Sequence, residues 1–320
     1  MNWISLFVVD DRLRPIWCFF LSVILLFAAY TFAGEATGQA IRALRVQPDL
    51  MVAFLWVSAV ALLAILTAFK LLTAVFDQRP LGSVGLAFHS RWGNELGQGL
   101  ALGAVMIFAT VALEWAGGGV RFSYVPHPMW RGGSITFLLF AVAATNEEAT
   151  FRGYPFQRLV ESITPAGAIA VSSAIFGLMH LKNPHHTGIS TLNTMLVGVP
   201  LAMAYLRTRS LWMPIGIHFV WNFLMGFVTG LPVSGITFPA SVLQAKVHGA
   251  VWLTGGDYGP EGGLMATILI LLATVYVTFS KRIYMTEEMK VLVLGPPPVP
   301  NTDQPIAIFP AASEDESNRA

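Results

Sequence analysis

SITFLLFAVAATNEEATFR, residues 134–152, is an apolar run of helical length that ends in two adjacent carboxylates and an arginine. As a helix its 19 residues span roughly 28 Å, close to the ~30 Å hydrocarbon thickness of a bilayer. Working outward, further stretches of this kind lie near 15–34, 51–76, 97–115, 164–181, 189–206, 211–230 and 263–280. Composition agrees with them. The 320 residues are 55% hydrophobic and 12% charged, with a mean hydropathy of +0.63, whereas a soluble domain carries about 25% charged residues. Too little polar surface remains to cover a water-soluble body of this size. The chain reads as all-α: a polytopic transmembrane helix bundle of about eight spans, with the lipid bilayer as its solvent.

The rest of the chain fits around those spans. MNWISLFVVDDRLRPIW at the start is interrupted by Asp10 and Asp11 and has no small-residue cleavage site, so the first apolar run reads as a retained span. Residues 1–96 supply the amino-terminal spans and an interfacial loop, DQRPLGSVGLAFHSRWGNELGQG. Residues 97–282 form the core, with 231–262 read as a long Gly/Pro-rich loop before the last span. Residues 283–320 are Pro-rich and polar without periodicity, which predicts a disordered cytoplasmic tail. Lys and Arg set the orientation: Arg12, Arg14, Arg79, Arg91, Lys281 and Arg282 gather on one side, against Arg42, Arg45, Arg121 and Arg131 on the other. Both termini are therefore expected in the cytoplasm, and a bacterial inner (cell) membrane is the expected location. The net charge of +1 gives no reason to expect a nucleic-acid partner. The single cysteine, Cys18, rules out an internal disulfide and reads as an apolar filler.

Ionisable groups within spans cost roughly 2.5–3.5 kcal/mol each at a helix centre and persist where they face a cavity or a partner. Three places carry polar groups of this kind. Glu148 and Arg152 are one helical turn apart and can pair, while Glu147 points about 100° away, toward the bundle interior. Phe176 and His180 share a face at the end of the fifth span. His218 and Asn222 project from one face of the seventh. Each set alone has a structural explanation, as an ion pair, an interfacial histidine or interhelical glue. Together they offer a base for water and groups to stabilise an oxyanion, which is what peptide hydrolysis requires. One difficulty remains: on these spans His180 lies near the outer end of its helix and His218 nearer the inner end of its own. At 1.5 Å per residue that puts them out of mutual reach, unless the fifth helix tilts or begins inside the bilayer.

Glu147-Glu148-x3-Arg152, Phe176-x3-His180 and His218-x3-Asn222, in that order on separate apolar helices, resemble the motifs of the CAAX protease and bacteriocin-processing enzyme family. These CPBP intramembrane proteases are also called type II CAAX prenyl endopeptidases. The resemblance covers roughly 134–230 and departs from the pattern at no motif position. It implies an intramembrane endopeptidase with a membrane-embedded site acting on a CAAX-type peptide, a bacteriocin leader or a membrane protein. Carried over by position, Glu147 would activate water that His180 helps to hold, His218 and Asn222 would stabilise the oxyanion, and Glu148, Arg152 and Phe176 would support them. It leaves both glutamate-driven and metalloprotease chemistry open. His180, His218 and a carboxylate are zinc-ligand types, without the H-E-x-x-H spacing of soluble zinc proteases. Two other readings compete: a non-catalytic scaffold or bacteriocin self-immunity protein of the same fold, and a proton-coupled transporter. The transporter would be built from repeats, and no internal repeat is visible.

Overall fold

The computed structural model describes residues 6–295 except 10, 11 and 128. Short strands β1 (Val8–Val9) and β2 (Arg12–Leu13) pair ahead of the first long helix. The long helices are α1 (Pro15–Leu44), α2 (Leu50–Leu72), α3 (Trp92–Ala116) and α4 (Trp130–Arg152). They continue with α6 (Pro165–Met179), α7 (Gly188–Thr208), α8 (Trp212–Phe223) and α10 (Leu264–Phe279). Each coincides with one of the eight apolar runs. Among the described residues six helical segments are long and apolar enough to cross a membrane. The two further apolar runs are α4, charged at its end, and α10, whose 16 residues reach roughly 24 Å. The protein is an all-α membrane bundle, and its outer faces carry side chains such as Phe27, Leu63, Val105 and Phe279 in the open. Such faces suit lipid and not water.

Close backbone approach fixes the helix that matters most. On α3, Gly99 faces Gly216 of α8 and Gly103 faces Ile217. A Cβ added at Gly99 would lie 2.2 Å from the Met213 carbonyl oxygen, and one at Gly216 would lie 2.7 Å from that of Leu96. Small residues permit this contact where no hydrophobic force drives helices together in lipid. Gly99→Ala must therefore push α8 away. We expect a loss of about 1–3 kcal/mol and a lower unfolding temperature in detergent micelles. An unchanged transition would show that the helices can separate freely.

Three parts of the chain depart from the expected plan. Residues between the fourth and fifth spans form α5 (Tyr154–Ser162), buried from Tyr154 through Leu159. Gln157 donates to the Ser83 carbonyl (2.7 Å), and Arg158 pairs with Asp77 (3.0 Å). The chain is thus buried through Leu159 and exposed at 163–166, where α6 begins with Thr164 capping the Gly167 N–H. Second, the segment 231–262 is not a plain loop. Its β4 (Leu243–Val247) pairs antiparallel with β3 (Val120–Tyr124), in register Val120↔Val247 to Tyr124↔Leu243. The four-residue α9 (Val251–Thr254) and two 3-10 turns at Gly256–Tyr258 and Pro260–Gly262 follow. Third, the tail expected to be disordered from 283 includes an ordered helix, α11 (Glu287–Leu294). It buries Met289 and Val293, and Glu288 accepts the Ser90 backbone N–H (2.7 Å), which holds its carboxyl below the usual range. Residues 296–320 of the tail lie outside the described residues.

Candidate active site

All seven polar and aromatic motif residues converge on one region between α4, α6 and α8. The centre is a chain of charges on α4 and α8. Glu148 Oε1 accepts from Arg152 Nη1 (3.2 Å) and from His218 Nδ1 (2.9 Å). Glu148 and Arg152 are fully buried. Arg152 also donates to the Gly198 carbonyl on α7 (3.4 Å) and lies over the Phe176 ring, 4.7 Å from its centroid. A buried charge needs this many partners, because desolvation costs several kcal/mol per ion. The Glu148–Arg152 pairing read from their spacing is present.

Glu147 takes the opposite environment. Its side chain is 34% exposed, and its Oε2 lies 3.8 Å from His218 Nε2. His218 is thus held between the two adjacent carboxylates. The arginine-paired Glu148 accepts the Nδ1–H hydrogen bond, so Nε2 is the atom turned toward Glu147. The sequence suggested no local partner for Glu147; its neighbour comes from another helix, which spacing along α4 cannot reveal.

His180 lies just past the end of α6, in a 3-10 turn (His180–Lys182). Its Nδ1 donates to the Phe176 carbonyl (2.8 Å), which leaves Nε2 with a lone pair in the neutral ring. The Phe176 ring stands between the histidines, 4.8 Å from His180 and 6.2 Å from His218. Both histidines also line one cavity, so the separation expected from simple spans does not keep them from a common site. α6 is only 15 residues long, and His180 follows it directly in the 3-10 turn.

Glu147, His180, His218 and Asn222 all line one cavity of about 290 Å³. Apolar side chains such as Met106, Phe140 and Ile270 make up much of its wall. The far side is polar and comes partly from the segment after α8, with Ser234 and Glu261, and partly from Asn183 and Asn193. Sequence reasoning missed Glu261, one of two carboxylates, with Asp257, in the Gly-rich stretch ahead of an apolar helix. It accepts from Trp221 Nε1 (3.1 Å) and from both the backbone N–H and hydroxyl of Ser234 (2.7 Å each). Beside this group, burial pushes the Tyr258 phenol up to about 12, so it remains a donor. The zinc set raised by the sequence, His180 and His218 with a carboxylate, is not assembled. Among the described residues no three His, Cys, Asp or Glu side chains gather in a way that could hold a metal ion, and both His218 nitrogens face carboxylates.

Residues 129–224 match the family model described as Type II CAAX prenyl endopeptidase Rce1-like. The matched region runs from the start of α4 to the end of α8 and contains every motif residue. No curated protein and no solved structure matches the chain. Residues 129–224, under a third of the chain, are thus similar to a type II CAAX prenyl endopeptidase domain.

Proposed function

We propose that the protein is an intramembrane endopeptidase that hydrolyses a peptide bond of a CAAX-type or membrane-anchored substrate by glutamate-activated water. The observation that carries this reading is the contrast between the two adjacent carboxylates. Glu148 is buried and committed to Arg152 and His218, whereas Glu147 reaches the cavity that His180, His218 and Asn222 also line.

A water molecule in that cavity has two protons to donate and two acceptors for them, the Glu147 carboxylate and His180 Nε2. Held in that way, it turns a lone pair toward a substrate carbonyl. Glu147 takes one proton as the oxygen–carbon bond forms and the carbonyl electrons move to oxygen. The Asn222 amide and a protonated His218 Nε2 donate to that oxyanion. When the tetrahedral intermediate collapses, the carbon–nitrogen bond breaks and Glu147 returns its proton to the leaving amine. Apolar walls keep bulk water away and strengthen each of these interactions. The setting that accompanies the proposal is a bacterial inner membrane with both termini cytoplasmic, supported by the distribution of Lys and Arg.

The test is cleavage of a prenylated CAAX-type reporter, alongside a membrane-peptide library, by purified protein in micelles. Wild type should cut with and without a chelator, and His180→Ala should lower the rate by roughly 10²-fold. Cleavage by His180→Ala at the wild-type rate would remove His180 from the mechanism. Loss of wild-type cleavage on chelation would overturn the metal-free route.

A further inference from the structure

We infer that Glu261, outside the matched domain, is a positioning residue that aims the Asn222 amide; this rests on the reading of Asn222 as an oxyanion donor. The argument begins with α8. His218 and Asn222 sit on it one turn apart, and immediately beyond, at Leu224–Thr229, the helix widens into a π-turn. Such turns shift the backbone register and are frequent at functional sites. The rotation of α8 at Asn222 is therefore not secured by continuing regular helix. It needs an anchor from outside.

Trp221, next to Asn222, has that anchor. Its ring lines the cavity with only 8% exposure, and its indole N–H donates to Glu261 Oε1. The other oxygen, Oε2, takes both Ser234 donors, so the carboxylate joins α8 to the segment that follows it. Glu261 is itself held by α7 and α10. Asn193, on α7, donates through Nδ2 to the carbonyls of Glu261 (2.8 Å) and Gly263 (2.9 Å). Its Oδ1 accepts from Thr267 on α10 (2.6 Å). The anchor is thus a carboxylate fixed from two further helices and acting on the residue beside the oxyanion donor. Among the described contacts no Lys or Arg pairs with it, so its task is to accept hydrogen bonds and not to neutralise a cation. An acceptor that cannot also donate suits three converging donors. A glutamine there would face the indole or Ser234 with an NH2 group.

The experiment is steady-state cleavage of the prenylated reporter by Glu261→Gln, Trp221→Phe, Asn222→Ala and the double variant Glu261→Gln/Asn222→Ala. All are first confirmed folded by their unfolding transitions. Glu261→Gln and Trp221→Phe should each lower kcat by roughly 10–100-fold with KM within about twofold, and Glu261→Asp should recover part of the loss. The double variant should be no slower than Asn222→Ala, because the positioned group is already absent. Losses that multiply, or a rise in KM alone, would overturn the inference. So would wild-type kcat in Trp221→Phe, which removes the same hydrogen bond without touching the loop. If Asn222→Ala itself keeps wild-type kcat, the oxyanion assignment fails. If Asn222→Ala is slow and Glu261→Gln is not, only the role of Glu261 fails.

Discussion

Glu147→Gln should reduce reporter cleavage by roughly 10²–10⁴-fold while leaving the unfolding transition in micelles where it is. The substitution keeps the size and hydrogen-bonding reach of the side chain but removes the ability to take a proton from water. Stability should not follow, since the side chain is one-third exposed and its ion-pair contact among the described residues, His218, stands at 3.8 Å. The variant thus separates proton transfer from architecture. It also separates the protease from a scaffold of the same fold, which would tolerate the change. Cleavage by Glu147→Gln at a tenth of the wild-type rate or faster would remove Glu147 as the base.

The opposite pattern is expected one turn away. Arg152→Met leaves the Glu148 carboxylate fully buried with His218 as its remaining partner. Breaking a buried pair in this way costs about 3–5 kcal/mol, whereas replacing both members by neutral groups is often close to neutral. Arg152→Met should unfold at much lower temperature or resist purification, and Glu148→Gln/Arg152→Met should recover most of the stability. Activity should not return with it. Without the Glu148 carboxylate nothing holds the His218 ring in place with its protonated Nε2 toward Glu147. A single variant as stable as wild type would mean that the arginine is dispensable to the fold. A fast double variant would mean that His218 needs no orientation.

Much of this was legible from residue type alone, for a reason specific to membranes. Water is absent from the hydrocarbon, so apolar length marks the helices and each misplaced polar group marks a cavity or a partner. Glu147, Glu148, Arg152, His180, His218 and Asn222 could be singled out because they are costly where they stand. Which carboxylate faces the cavity followed from their 100° offset and the i,i+4 position of Arg152. What escaped reading obeys the opposite logic. Residues 154–162 are short and polar, so their burial as α5 depends on partners such as Asp77 and Tyr205, far away in sequence. VRFSY and LQAKV are five-residue strands that become legible only as a pair. Glu261 looked ordinary because a carboxylate in a glycine-rich loop costs nothing in water; its meaning comes from Trp221 and Ser234. The Pro-rich run after residue 295 coloured the reading of the whole tail, although EEMKVLVL ahead of it begins with Thr286 capping Met289 N–H.

The β3–β4 ribbon also fixes an order of events during synthesis. Val120 cannot meet Val247 until the ribosome has made residue 247, more than one hundred positions later, and closing so long a loop carries an entropic cost that shorter contacts avoid. By then α1 to α8 already exist, with Glu147, His180, His218 and Asn222 among them. The wall that contains Ser234, Glu261 and, on α10, Ile270 is therefore the last part of the chamber to be made. A nascent chain holds these polar groups before it holds the enclosure around them, which forms only once the residues after α8 have been made.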